Sequence, residues 1–162
     1  MNKNIFKFKL LILDIDGILT DGKKSYDYKG KVTNKSFCDL DFTAIKRFKE
    51  KNIEVCLLSS DKNINKAIAK KRGLKFFYSR DKNNNIIKEK FVPKFEKLYK
   101  LNRSQMAYVG DDFYDLKIIK TLNKTFCPSN SPRIIKKNVS HVLIGRSGEY
   151  LISELYDLCF KL

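Results

Sequence analysis

Histidine, cysteine and proline are scarce in this sequence, and tryptophan is absent. The 162 residues include one histidine, three prolines and four cysteines. The cysteines lie far apart and form no Cys-x-x-Cys pair, so the sequence indicates neither a zinc site nor a disulfide framework. Cys56 lies in the apolar run Ile53 to Leu58, and we expect it to be part of the core. We expect a structural role for His141.

Long apolar runs are also missing. No run reaches the roughly 18 to 20 residues that a membrane-spanning helix needs. Phe6 to Leu13 is interrupted by Lys7 and Lys9, which favours a first β-strand over a signal peptide. We therefore expect a cytoplasmic protein with no membrane partner, since reducing conditions suit unpaired cysteines.

Acidic residues are few relative to basic ones. The sequence has 18 Asp and Glu against 34 Lys and Arg, which gives a formal charge of +16. Such a charge is typical of nucleic-acid binders, but it also suits an enzyme with an anionic substrate. The lysines are scattered rather than gathered in one tail, and no nucleic-acid-binding signature accompanies them. We therefore expect no nucleic-acid partner and favour the anionic substrate.

Apolar runs alternate with amphipathic stretches along the chain, without repeats or a Pro/Gly-rich linker. This alternation predicts one α/β domain over residues 1–162, built on a doubly wound, Rossmann-like parallel sheet. The predicted strands are Phe8 to Leu13, Glu54 to Ser59, Phe76 to Tyr78, Met106 to Val109, Thr125 to Cys127, and Val142 to Leu143. The predicted helices are Phe42 to Lys51, Asn63 to Arg72, about Phe91 to Tyr99, Tyr114 to Thr121, Pro132 to Lys137, and Gly148 to Phe160.

A short insertion separates the first predicted strand from the first helix. Over residues 23–37, strand-forming residues flank a Lys-Gly-Lys turn, which predicts a β-hairpin. Ligands bind at the carboxyl ends of strands in such sheets, so the hairpin should project near the site. It is too short to be a cap domain. The site is therefore either open or closed by another subunit.

Acidic or hydroxyl residues directly follow three predicted strands. They are Asp14 and Asp16 after the first, Ser59 and Ser60 after the second, and Asp111 and Asp112 after a later one, with Asp115 one turn on. Each group alone is also typical of a turn or a helix cap. Parallel strand ends lie side by side, however, and clustered carboxylates need a hard cation to stay ionised. The pattern favours Mg²⁺ and phosphate chemistry, with Asp14 as nucleophile and Asp16 as acid and base.

Four segments resemble the motifs of the haloacid dehalogenase superfamily, in order and at suitable spacing. They read DIDGILTD, LLSSD, a lysine-bearing stretch at Lys88 to Phe91, and YVGDDFYDL. The resemblance implies that Ser59 donates a hydrogen bond to the phosphate and that a lysine neutralises it. It also implies Mg²⁺ ligands from Asp14, Asp111 and the backbone carbonyl of Asp16. By spacing the lysine is Lys88, with Lys90 as the rival.

Within that superfamily, the missing cap, the hairpin and the late GRSGEYLISEL are similar to one phosphatase subgroup. Its members act on 3-deoxy-D-manno-octulosonate 8-phosphate or on nine-carbon sialic-type sugar-acid phosphates. The resemblance implies a homotetramer that serves cell-surface sugar synthesis, such as lipopolysaccharide biosynthesis. It also implies substrate contacts near Gly17, Ser60 and Gly148, although Gly148 equally suits a loop before a helix.

The sequence departs from that subgroup at two places. The second motif reads Ser59-Ser60-Asp61 where Thr-Gly-Arg is common, and Leu40-Asp41-Phe42 stands where Arg-Asp-Gly is common. Serine can replace threonine as a donor, but the guanidinium groups are missing. We expect Asp112 and Asp115 to orient Mg²⁺-bound waters or the lysine, with a helix N-terminal role as the alternative for Asp115.

Two other functions compete with a sugar-acid phosphatase. A phospho-accepting signalling receiver also combines carboxylates, a strand-end Ser or Thr and a lysine. Receivers carry adjacent acids after the first strand, whereas this chain has the separated pair Asp14 and Asp16. The third possibility is a catalytically inactive domain of the same fold that tetramerises a sugar-activating partner. The presence of every expected chemical residue argues against it.

Overall fold

The computed structural model describes residues 3–161. Its strands are β1 (Leu10–Leu13), β2 (Ser25–Tyr26), β3 (Val32–Asn34), β4 (Glu54–Ser59), β5 (Lys75–Tyr78), β6 (Met106–Val109), β7 (Thr125–Cys127) and β8 (His141–Val142). Its α-helices are α1 (Asp39–Glu50), α2 (Asn63–Lys71), α3 (Phe91–Tyr99), α4 (Leu116–Thr121), α5 (Arg133–Lys136) and α6 (Leu151–Phe160).

Six strands form one parallel sheet in the order β5-β4-β1-β6-β7-β8. Chain order reverses on either side of β1, which is the doubly wound arrangement that the sequence predicts. Leu13, the last residue of β1, pairs with Leu57 of β4 and with Val109 of β6. The carboxyl ends of the three central strands therefore meet at one edge of the sheet, where a ligand can contact all of them.

Both faces of the sheet are buried, which explains the continuous apolar runs of its strands. On one face, Leu11 and Leu13 pack in the cluster that contains Phe48 of α1 and residues of α6. On the other face, Leu10 and Ile12 pack with residues of α3 and α4. The fully buried β1 thus fixes the position of the loop that follows it.

The predicted insertion is a small antiparallel hairpin. β2 and β3 pair with each other and not with the main sheet. The turn between them is closed by Asp27, whose Oδ1 accepts hydrogen bonds from the backbone N–H groups of Lys29 and Lys31. Over residues 3–161 no cap domain is inserted between β1 and α1.

Four helices begin at positions different from those predicted, and α5 differs least, since it begins at Arg133 rather than at Pro132. α1 begins at Asp39, three residues early, and α4 begins at Leu116, after the 3-10 turn Phe113–Asp115. α6 begins at Leu151 rather than at Gly148. The chain before α6 is not helical because Gly148 and Tyr150 have left-handed backbone conformations, with φ of 71° and 58°. The sequence pattern predicts the apolar face of a helix better than its ends.

Two further expectations concern His141 and the membrane. The His141 ring packs edge-on against Phe6, with 5.5 Å between the ring centroids, which agrees with a structural role. Within residues 3–161, no helix is both long and apolar enough to cross a membrane.

Candidate active site

Three carboxylates meet where β1 and β6 end. The backbone N–H of Asp14 donates to the carbonyl of Val109 at 3.0 Å, which ties the two strand ends together. One carboxylate oxygen from each of Asp14, Asp111 and Asp115 lies within 4.8 Å of the others. Asp14 and Asp115 are buried. The sequence-based prediction that these strand ends converge is therefore correct in its geometry.

Lys88 lies inside this acidic cluster. Its Nζ is 2.6 Å from Oδ2 of Asp14 and 2.6 Å from Oδ1 of Asp115, and its side chain is 3% exposed. The rival Lys90, two residues further along the same 3-10 turn, is exposed. The structure thus places Lys88, the lysine favoured by spacing, next to the predicted nucleophile.

Asp115 organises the loop after β6. Besides Lys88, it accepts hydrogen bonds from the hydroxyl of Tyr108 at 2.6 Å and from the backbone N–H groups of Asp111 and Asp112 at 2.9 and 3.0 Å. Its two oxygens are therefore already engaged by four donors. Both predicted roles are visible here, since the same carboxylate orients the lysine and closes the turn before α4.

Burial and the neighbouring charges shift the pKa values of the side chains in the cluster. Burial raises the pKa of Asp14 to about 7; Lys88 acts against this shift and Asp115 adds to it. Burial, with the nearby Asp14 and Asp115, raises the pKa of Asp111 to about 8. Burial alone would lower the pKa of Lys88, but Asp115 and Asp14 raise it above its ordinary value. The lysine thus stays charged, and a further cation would favour the ionised carboxylates.

Asp111 has the properties of a cation ligand. Its Oδ1 is buried and has no hydrogen-bond partner among the described residues. Gly17 has a φ of 85°, and a Cβ there would lie 2.0 Å from Oδ2 of Asp111, so only glycine permits this approach. A buried carboxylate oxygen without a donor suits a hard cation with oxygen ligands. Asp14 and Asp111 therefore fit a divalent metal, whereas Asp115 is occupied by its donors.

Asn65 joins Asp16 to Ser59, and Lys35 contacts Asp16; sequence reasoning missed both residues. Asn65 of α2 donates through Nδ2 to Oδ2 of Asp16 at 2.8 Å and to Oγ of Ser59 at 3.0 Å. Lys35, at the end of the hairpin, places Nζ 2.7 Å from Oδ1 of Asp16. A polar residue on the buried side of α2 was the available signal for Asn65. Nothing distinguished Lys35 from the many other lysines.

Asp61, which stands where the related subgroup has arginine, is paired with the hairpin. Its Oδ2 lies 2.8 Å from Nζ of Lys35 and 3.1 Å from Nζ of Lys24. Burial alone would raise the pKa of Asp61, but hydrogen bonds from the two lysines lower it below its ordinary value. The missing guanidinium is thus replaced by a carboxylate that holds the hairpin against the edge of the site.

A cavity of about 320 Å³ opens beside these groups. Its walls carry both signs of charge and are formed by Asp14, Asp16, Lys24, Ser59, Ser60, Asp61, Arg80, Ile86, Asp112 and Tyr114. Gly148 is not among them. A Cβ on Gly148 would lie 2.6 Å from the backbone nitrogen of Asp21, so this glycine packs against the loop after β1. Its contact with a substrate stays a prediction.

Lys88 is buried between Asp14 and Asp115, on a doubly wound sheet with a hairpin after β1, which agrees with the resemblance to haloacid dehalogenase-type phosphatases. No family model matches the chain. The 3-deoxy-D-manno-octulosonate 8-phosphate phosphatase KdsC of Haemophilus influenzae is 31% identical over 162 residues, which cover 99% of this chain and 87% of the relative. This chain belongs to the family of that enzyme and is a phosphatase.

Solved structures agree with this assignment. The cobalt-bound deoxy-D-mannose-octulosonate 8-phosphate phosphatase of Haemophilus influenzae is 30% identical and superposes with a TM-score of 0.87, over 98% of this chain and 90% of that one. The Moraxella catarrhalis enzyme, in complex with magnesium, phosphate and a KDO molecule, is 24% identical. Its TM-score is 0.85, over 98% of this chain and 88% of that one, which is a likeness of fold.

Proposed function

We propose that this chain hydrolyses the phosphate ester of a small sugar acid through an aspartyl-phosphate at Asp14. The substrate is 3-deoxy-D-manno-octulosonate 8-phosphate, with a nine-carbon sialic-type 9-phosphate as the alternative. The observation that carries the proposal is the position of buried Lys88, 2.6 Å from both Asp14 and Asp115 in the cluster that also contains Asp111. The names of the Haemophilus influenzae relative and of the solved Haemophilus influenzae structure support the octulosonate substrate.

Mg²⁺ is the proposed cofactor. Asp14 and Asp111 would hold it, with the backbone carbonyl of Asp16 as the third protein ligand that the family resemblance implies. When bound, the cation supplies Lewis-acid polarisation of the phosphoryl oxygens and offsets negative charge between Asp14 and the phosphate. The magnesium in the Moraxella catarrhalis structure and the cobalt in a Haemophilus influenzae structure support a divalent metal.

The first chemical step transfers the phosphoryl group to the protein. An oxygen of Asp14 forms a bond to phosphorus while the bond from phosphorus to the ester oxygen breaks. Asp16, as carboxylic acid, gives its proton to the departing sugar oxygen. Lys88 offsets charge on the phosphoryl oxygens and the hydroxyl of Ser59 donates a hydrogen bond to them. The role of Ser59 is favoured by its burial at the end of β4.

The second step releases phosphate. Asp16, now a carboxylate, takes a proton from water, and the water oxygen bonds to phosphorus. The bond between phosphorus and Asp14 breaks, and the free carboxylate is restored. Lys35 and Asn65 hold one oxygen each of Asp16, which fixes the carboxylate for both proton transfers.

A panel of sugar phosphates, with phosphate release as the readout, tests activity and substrate together. We expect the octulosonate or the nine-carbon sugar-acid phosphate to have the highest kcat/KM. Asp14→Asn should abolish turnover and EDTA should suppress it. Asp21→Asn, which changes an exposed aspartate of the same loop, is the matched control. Full activity of Asp14→Asn, or activity that EDTA leaves unchanged, would refute the mechanism.

Membership of a phosphatase family favours turnover over the receiver and the inactive-domain hypotheses. Incubation with acetyl phosphate distinguishes the receiver from the enzyme. A receiver would accumulate a stable phosphoprotein without releasing phosphate, whereas the enzyme should turn over. A protein that binds a sugar-activating partner but hydrolyses nothing in the panel would support the inactive domain.

A homotetramer is the proposed assembly, and cytoplasmic sugar synthesis for the cell surface is the proposed setting. On the hairpin, Tyr26 and Tyr28 are 61% and 91% exposed, and beyond it Ile144 is 87% exposed. Such apolar groups are typical of contact surfaces. Native mass spectrometry should show four subunits, with fewer for Tyr28→Ser and no change for the exposed Lys31→Ser. A wild-type monomer at micromolar concentration would contradict the tetramer.

A further inference from the structure

Arg80 projects from the end of β5 into the wall of the cavity that contains Asp14. Its guanidinium is held in place by backbone groups. Nε donates to the carbonyl oxygen of Ser60 at 2.9 Å, and a terminal nitrogen donates to the carbonyl oxygen of Asn84 at 2.7 Å. These two bonds fix the position of the guanidinium over the loop that follows β4.

The loop that carries Arg80 is itself ordered by hydrogen bonds. Oδ1 of Asp81 accepts from the backbone N–H groups of Asn83 and Asn85, both at 2.9 Å. Asn84, with a φ of 65°, makes the tight turn between them. Arg80 and Ile86 pair across the base of the loop in an antiparallel bridge. The position of the guanidinium is therefore set before any ligand binds.

The charge of Arg80 is not neutralised by this protein environment. Both of its acceptors are uncharged carbonyl oxygens, and none of the ion pairs found over residues 3–161 includes Arg80. In contrast, Lys24 and Lys88 each contact a carboxylate. An arginine has five N–H donors, and two of them are used here. The other three donors have no protein partner among the described residues, and the positive charge is available to a ligand in the cavity.

We propose that Arg80 binds the carboxylate of the substrate and determines the preference for acidic sugars. This inference rests on the proposed sugar-acid phosphatase function. A guanidinium presents two parallel N–H groups that match both oxygens of a carboxylate. The family's usual arginine is absent at Asp61, and Arg80 supplies a guanidinium to the same cavity from the neighbouring strand.

The sheet order explains why Arg80 contacts the carboxylate rather than the phosphate. The phosphate reacts at Asp14, after β1, and β5 lies two strands away, beyond β4. Neighbouring strands are about 4.8 Å apart, so the ends of β1 and β5 are separated by roughly 10 Å, and the guanidinium reaches back over the end of β4 between them. A sugar acid of eight or nine carbons carries its carboxylate and its phosphate at opposite ends, so it can extend from Asp14 to the guanidinium.

A matched pair of substrates tests the inference. 6-Phosphogluconate and glucitol 6-phosphate differ only in a carboxylate against a hydroxymethyl group, and octulosonate 8-phosphate is measured beside them. Arg80→Gln should lower kcat/KM for both acidic substrates by roughly 10- to 100-fold, mainly through KM. The same change should leave kcat/KM for glucitol 6-phosphate nearly unchanged. Arg80→Lys should show a smaller loss, and Lys82→Gln, in the same loop and exposed, should show none.

The ratio of kcat/KM for an acidic substrate to kcat/KM for the neutral one does not depend on the fraction of the variant that is folded. An equal loss on all three substrates would overturn the inference, because Arg80 would then act on the phosphate or support the loop. A wild-type enzyme without preference for the acidic partner would also overturn it, while leaving the phosphatase function intact. Loss of the 6-phosphogluconate preference in an enzyme that does not cleave octulosonate 8-phosphate would support Arg80 and reject the proposed substrate.

Discussion

The ammonium group of Lys88 lies 2.6 Å from Oδ2 of Asp14, and both side chains are buried. This ion pair joins the strand that carries the proposed nucleophile to the turn before α3. Asp115 holds the other side of the ammonium group, also at 2.6 Å. The lysine is therefore positioned before a phosphate arrives, and binding does not have to order its long side chain.

Replacing Lys88 tests its proposed role. Lys88→Met keeps most of the side-chain volume but removes the charge, and it should lower kcat by two orders of magnitude or more, roughly the cost of losing one stabilising donor at a transition state. Lys90→Met removes an exposed charge two residues away and should retain activity. Circular dichroism of both variants serves as the check that they are folded. Comparable activity of the two variants would reject the assignment of Lys88.

The raised pKa values of Asp14 and Asp111 predict how stability depends on pH. In the folded protein without metal, the pKa of Asp14 is about 7 and that of Asp111 is about 8. The ordinary value of an aspartate, which applies to the unfolded chain, is 3.8. Between about pH 4 and 8 the folded state thus holds protons that the unfolded chain has released. Its free energy of unfolding should therefore decrease as pH rises through this range. Urea unfolding in EDTA at several pH values measures the trend.

Bound Mg²⁺ should oppose the decrease in unfolding free energy at higher pH. The cation binds the ionised carboxylates, so the stabilisation by a fixed Mg²⁺ concentration should be larger at pH 8 than at pH 5. Asp111→Asn removes one titrating group and one ligand, and should reduce both the pH slope and the effect of Mg²⁺. A Mg²⁺ effect that is the same at the two pH values in wild type would contradict this account of the acidic cluster.

The pair of Lys35 and Asp61 should anchor the hairpin. Nζ of Lys35 lies 2.8 Å from Asp61, and the lysine side chain is 1% exposed. Lys35→Met leaves Asp61 and Asp16 without this cation and should cost about 3 kcal/mol of unfolding free energy. In a double-mutant cycle with Asp61→Asn, we expect a coupling energy of roughly 1 to 3 kcal/mol. Additive effects of the two changes would show that the pair does not stabilise the hairpin.

Asp41 should stabilise α6 rather than bind substrate. It is buried in α1, and its Oδ1 accepts from the backbone N–H groups of Ile152 and Ser153 at 2.8 and 3.2 Å. Asp41→Ala should lower the free energy of unfolding by about 1 to 2 kcal/mol, as expected for loss of a helix cap. Asp41→Asn keeps an acceptor and should cost less. Urea unfolding gives these values, and a large rise in KM with unchanged stability would instead indicate a substrate contact.

The sequence predicts most of the fold because the strands are short apolar runs buried on both faces. The bounds of β4, β6 and β7 agree with the predicted ones. Helix ends were less predictable, since they depend on contacts between distant residues. α6, for example, begins where Asp41, more than a hundred residues earlier in the chain, caps it.

The residues of the candidate site also differ in whether the sequence could predict them. Asp14, Asp111 and Lys88 were predictable because each belongs to a local motif at a strand end or at a fixed spacing. Lys35 and Asn65 were not, because their contacts with Asp16 come from packing the hairpin and α2 against the strand ends. One lysine among many carries no local signal of such a contact, and the place of Asn65 on the buried side of α2 indicates its burial but not its partners.

The stereochemical course at phosphorus tests the central claim most directly. The substrate is given a thiophosphate group made chiral with two oxygen isotopes, hydrolysis is run in water that carries the third isotope, and the configuration of the released thiophosphate is determined. Attack by Asp14 followed by attack of water comprises two in-line displacements, each with inversion, so the account predicts net retention. Net inversion would show that water attacks the ester directly, and it would contradict Asp14 as the nucleophile.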